Sequence, residues 1–163
     1  MRVTPAVVEA ERDWVRDHAT VVVPLINRVR ADLGDAFDTT VDPVTDDQYV
    51  DAVDSLFADG DRAVNVAALV ALLRDLDVAE DYPGFVVDEQ LGRNLATTIA
   101  GEQPFGTLAA ATFHYADVTT HGETDDPAGL DDLDAALAAG FQTRLPGWEW
   151  TARESPFEVK PSP

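Results

Sequence analysis

The chain has 163 residues, 45% of them apolar, with no cysteine and a formal net charge of −20. That apolar share supports one folded domain rather than wholesale disorder. The missing thiols exclude disulfides, thiolate metal sites and a cysteine nucleophile. No apolar run approaches the roughly 20 residues needed to cross a bilayer, and the N-terminus becomes charged too soon for a signal peptide, so a soluble cytoplasmic protein with no membrane contact is expected.

Helical periodicity dominates. Thr4 followed by Pro5 reads as the start of a first helix carrying Val8, Trp14 and Val15 inward. Pro24 disfavours helix at Val23 and is expected to restart the chain as a second helix with Leu25, Ile26, Val29 and Leu33 on one face. The run before Pro24 reads as a kinked helix, with a short strand as the alternative. Thr45 caps a third helix in which Tyr49, Val50, Val53, Leu56 and Phe57 follow helical spacing. After an acidic glycine turn, Asn65 reads as the cap of "VAALVALLRDL". That segment is apolar nearly all round and is the expected central helix. Further helices are expected from Asp88 (Leu91, Leu95, Ile99), from about Gly106 through "TLAAATFHYADV", and over "LDDLDAALAAGF" (Leu130, Leu133, Leu137, Phe141).

The expected architecture is an all-α, single-domain helical bundle of six or seven helices over residues 1–144, with a non-helical aromatic C-terminal strap over 145–163. The expected core includes Val50, Val53, Leu56, Phe57, Leu69, Leu72, Leu73, Leu91, Leu95, Leu133 and Leu137.

The acids are 22 Asp and 9 Glu, against ten Arg and the single Lys160, and they are dispersed along the chain. A block of like charge would suggest an interaction tail. Dispersed acid with almost no lysine points instead to a salt-rich cytoplasm. At about 1 M salt the Debye length falls to roughly 3 Å, so self-repulsion is largely cancelled. The aliphatic choice agrees, with 24 Ala and 20 Val but only Ile26 and Ile99. Binding to nucleic acid draws on clustered Lys and Arg, so it finds no support here. The one arrangement that would serve it pairs the Asn65 helix with the Asp88 helix as a helix-turn-helix unit, using Arg62, Arg74 and Arg93.

Three other stretches could carry chemistry. The turn "ADGD" between apolar helices has the outline of an EF-hand. Aligned on Val64, however, it puts Phe57 and Ala68 at the first and last ligand positions and Arg62 at the glycine position, so calcium binding does not follow. The stretch "FHYADVTTHGETDD" places His114 and Asp117 on one helical face with His121 a turn further on. With His18 from the first helix these could bind a divalent transition metal. The spacing matches no established metal signature, and a half-buried structural histidine is the competing reading. The tail gathers Arg144, Trp148, Trp150, Arg153 and Phe157, residue types enriched at binding hot spots. It reads either as a strap over the bundle or as a surface for a protein partner. Ser55, Ser155 and Ser162 lie in no nucleophile motif, and "GEQPFGT" lacks the lysine of a phosphate loop. No cofactor is implied. The function expected is a non-enzymatic protein-interaction or regulatory module, with a metal-binding bundle and a DNA-binding regulator as alternatives.

Overall fold

The hydroxyl of Thr4 accepts a hydrogen bond from the backbone N–H of Val7, and Pro5 occupies the first helical position beside it. This satisfies an N–H that the helix leaves unpaired and explains why the first helix starts where it does. The computed structural model describes residues 1–78, 87–101, 104–120 and 128–148. Among these residues lie seven helices and no strand: α1 (Pro5–Asp17), α2 (Ala19–Ala36), α3 (Asp46–Phe57), α4 (Gly60–Asp75), α5 (Val87–Ala100), α6 (Phe105–Thr120) and α7 (Ala128–Gln142). The architecture is therefore the all-α, single-domain bundle expected.

Two helix boundaries differ from the sequence reading. The chain breaks at His18, not at Pro24, and α2 runs unbroken through the proline. Pro24 removes one hydrogen bond to Thr20, and both residues lie on the exposed side, where water can serve the freed carbonyl. Val22, Val23, Leu25 and Ile26 on either side are all buried, and that burial holds the helix together across the proline. Likewise α4 starts at Gly60, so Asn65 is exposed in its second turn and caps nothing. Only Ala58 and Asp59 separate α3 from α4, too few residues for a calcium loop.

The third helix starts as its sequence implies. Thr45 and Gln48 form a reciprocal capping box, with Gln48 N–H bonded to the threonine hydroxyl and Thr45 N–H to the Gln48 side chain. Asn27 of α2 fixes the approach to this helix. Its amide both donates to the Val44 carbonyl at 3.0 Å and accepts from the Val44 N–H at 2.7 Å.

The central helix is α7, not α4. It packs most extensively on α5 and α6 and also meets α2, α3 and α4. Its side chains are small on every side: Ala135, Ala136, Ala138 and Ala139 are all buried around Leu133, Leu137 and Phe141. Gly129 and Gly140 permit the closest approaches, since a Cβ at Gly129 would lie 2.3 Å from the Leu73 carbonyl oxygen. By contrast α4 leaves Val64 and Leu72 each more than 40% exposed, which removes Leu72 from the expected core. Val53, Leu56, Leu73, Leu95, Leu133 and Leu137 are fully buried, and Val50, Phe57, Leu69 and Leu91 pack partly buried against them.

After α7 the chain is non-helical as far as Trp148, and the residues beyond it lie outside the described part. This stretch is fastened by Arg30, which is 1% exposed. Its guanidinium donates to the carbonyls of Pro146 (2.6 Å), Gln142 (3.0 Å), Leu145 (3.2 Å) and Asp42 (3.4 Å) and lies 5.5 Å from the Trp148 ring. Gly147 adopts a φ of 108°, a conformation suited to glycine, and a Cβ there would press on the same guanidinium at 3.1 Å. Burial pushes the Arg30 pKa down to about 10, which leaves the group charged at neutral pH.

Candidate functional site

Of the four residues considered for a metal, the three among the described residues do not gather as one group. His18 sits at the corner between α1 and α2, where its Nε2 lies 2.6 Å from Asp134 Oδ1 of α7 and its ring stacks on Trp14 at 4.3 Å. Trp14 also carries Arg74 at 4.7 Å, and Arg74 in turn donates to Glu11 at 2.7 Å. His114 is exposed on α6, whereas Asp117, three residues on, is buried. His121 lies outside the described residues. Among the described residues no three His, Asp or Glu side chains gather where a metal ion could be held.

Asp117 instead faces other carboxyl groups. Asp88 of α5, Asp117 of α6 and Asp132 of α7 are 5%, 7% and 5% exposed. Asp88 accepts from the N–H of Glu89 at 2.9 Å. The Oδ1 of Asp132 is buried and finds no hydrogen-bond partner among the described residues. Gly92 lets α5 come close enough for this meeting, since a Cβ there would lie 3.3 Å from the Asp132 carbonyl oxygen and 2.7 Å from the Phe113 ring. Burial first, then the charge of Asp117 and the nearness of Asp88, push the Asp132 pKa up to about 9. Strongly shifted acids of this kind are concentrated at functional sites.

The residues considered for a partner divide in the same way. Trp148 is 5% exposed and lies against Arg30, so its ring belongs to the interior. Arg144 is part-buried and uses its Nε–H on the Ile99 carbonyl at the end of α5. Burial, and then the charge of Arg62, lower the Arg144 pKa. Trp150, Arg153 and Phe157 lie outside the described residues. Two of the three arginines considered for DNA, Arg62 and Arg74, are engaged locally, and Arg93 is exposed on α5. Arg62 lies against Gly101, Arg74 is held by Glu11, and the two stand at opposite ends of α4.

An apolar groove lies elsewhere, at the corner of α1, α3 and α4. Val3, Pro5, Val8, Phe57, Ala63 and Val64 line it, in a volume of about 360 Å³. Arg12 stands at its edge with its charge already answered by Asp13 at 2.9 Å and Glu9 at 3.5 Å. The charged residues lining the groove are Glu9 and Arg12.

A family model covers residues 1–161 of this chain. The chain belongs to that family, described as Domain of unknown function (DUF7984). No curated protein and no solved structure matches it. The family description assigns no activity, so a functional reading rests on the side chains above.

The buried acids and the groove were not singled out in the sequence. The sequence carried no signal for the acids: even within α7 only Asp132 is buried, while Asp131 and Asp134 are half-buried. It carried none for the groove either, because Val3 and Val64 lie 61 positions apart and meet only in three dimensions.

Proposed function

We propose that this protein is a non-enzymatic interaction module of a salt-rich cytoplasm. Its groove between α1, α3 and α4 would receive an apolar segment of a partner protein flanked by basic residues. The groove itself carries this reading: six apolar residues form a recess at the surface of a chain whose net charge is −20. Apolar recesses of this kind, rimmed by polar groups, favour docking of a partner side chain. Charge complementarity supports the basic flanks, since the one base at the groove, Arg12, is shared by two acids, Glu9 and Asp13. In molar salt such charges act only at contact distance, so the apolar surface supplies the affinity and the acids supply the selection.

The test uses two labelled peptides, a leucine-containing sequence flanked by arginines and the same sequence flanked by glutamates, titrated by fluorescence anisotropy in molar KCl. The arginine-flanked peptide is expected to bind, and to lose at least tenfold in affinity when Val64, 45% exposed, is changed to Glu. Changing the exposed Phe37 to Ser is expected to leave binding unaltered. Equal binding of both peptides, or indifference to Val64→Glu, rejects the reading.

A further inference from the structure

We propose that the outer face of α6 is a self-association surface, on which a second copy of this chain packs its own α6 against Leu108, Ala111, Tyr115 and Val118. This face is separate from the docking groove, which lies on α1, α3 and α4.

Leu108, Ala111, Tyr115 and Val118 are all exposed, and they recur at steps of three, four and three residues. At about 3.6 residues per turn they fall within roughly a quarter of the helix circumference, so they form one stripe along α6. That alternation is the a and d pattern through which two helices interlock side by side. Single apolar side chains on a surface are ordinary, whereas a stripe at this repeat is a seam. No other large apolar side chain within a described helix is as exposed as Val118, at 62%.

The flanks of the stripe decide which partner fits. Thr107 and His114 border it on one side, Thr112 and Thr119 on the other. Residues at these positions face the neighbouring helix in such a pair and set its choice of partner. Here they include neither acid nor arginine. Each of α1 to α5 exposes at least one Asp, Glu or Arg, whereas the one acid of α6, Asp117, is buried. Arg28 and Asp32 of α2 stand near Tyr115 and are opposite in sign, so they add no net charge. A chain of net charge −20 meets its own copy against repulsion wherever acids face acids, and the α6 face avoids that. A basic partner would find no carboxylate on it to pair with.

Covering the face also leaves little polar demand unmet. The Thr112 hydroxyl donates to the Leu108 carbonyl at 2.8 Å, and the Thr119 hydroxyl to the Tyr115 carbonyl at 2.9 Å. Both are served by their own helix and need nothing across the seam. With 16 residues α6 is about 24 Å long. One helix pair of that length is a small interface. The pair is therefore two-fold and reversible, and it forms in molar salt, which screens the acids on the rest of each copy.

Sedimentation velocity of the full chain in molar KCl tests this. The mass is expected to climb from 17.6 kDa toward twice that value as concentration rises through the micromolar range. Val118→Glu and Leu108→Glu each bring an acid into the seam and are expected to weaken association about tenfold or more. Leu72→Glu, on the exposed side of α4, is expected to leave it unaltered. Should the seam variants fail to fold, amide NMR of the unaltered protein still decides, because resonances that move with concentration should map to α6. A monomer at every concentration overturns the proposal, as does association indifferent to both seam variants or concentration-dependent shifts confined to other helices. In such a monomer, close proton contacts between Trp150 and Tyr115 would identify the chain's own tail as the occupant of this face.

Discussion

His18 and Asp134, 116 positions apart in the chain, meet through a 2.6 Å contact that ties the α1–α2 corner to α7. The corner itself exists because α1 ends and α2 begins at this one residue, whose backbone N–H returns to the Trp14 carbonyl at 3.0 Å. The imidazole therefore works as a pin: one side stacks on Trp14 and one nitrogen meets the central helix. His18→Ala removes both contacts and leaves a part-buried carboxylate without its partner. It is expected to cost about 1–3 kcal/mol, read from denaturant unfolding in molar KCl. An unchanged midpoint would show that α1 docks through its apolar face alone.

Arg30→Met tests the fastening of the segment after α7. The change keeps an apolar stem of similar length but leaves the carbonyls of Gln142, Leu145 and Pro146 without their donor. A loss of about 2–4 kcal/mol is expected, together with a shift of the Trp148 resonance in fluorotryptophan NMR. Arg30→Lys is expected to behave almost as badly, because one ammonium cannot reproduce a planar fork with donors on two nitrogens. A Trp148 resonance that stays in place in both variants would mean that Leu145 and the ring hold the segment without the guanidinium.

The charge makes its own prediction. With 31 acids against 11 bases, the folded chain repels itself in dilute buffer and is relieved by counter-ions. Screening lengths fall severalfold between about 0.1 M and about 2 M salt, so the melting temperature is expected to rise by many degrees over that range. A flat melting temperature between the two KCl concentrations would separate the acidity from the habitat inferred for it.

Much of the bundle could be read from the order of residues because local rules and packing agreed. Thr45 with Gln48, and Thr4 with Pro5, mark helix starts that need no tertiary information. The readings failed where burial outweighed a local preference. Pro24 is a helix breaker in isolation, yet four buried neighbours keep α2 whole across it. The richest apolar stretch, α4, was expected at the centre, but centrality went to α7, whose alanines and glycines let five other helices come close. Large apolar side chains report how much can be buried, whereas small ones report how near two backbones can lie. For the candidate sites the difficulty was composition. Among 22 identical aspartates, Asp88, Asp117 and Asp132 carry no mark that sets them apart until three helices bring them together. His114 and Asp117 do share a stretch of α6, but one faces solvent and the other the interior, and three residues of helical rotation decide which.

Because α7 is the axis on which α2, α3, α4, α5 and α6 are assembled, the order of manufacture matters to this molecule. A nascent chain leaving the ribosome has made α1 to α4 long before the helix they enclose, and Arg30 waits 112 residues for the Gln142 carbonyl it will hold. Until then α1 to α4 have only one another to pack against, and a guanidinium destined for the interior stays in water. Closure around this axis therefore waits until α7 has been made, and the acids spread along the earlier helices keep the waiting chain dispersed in the meantime.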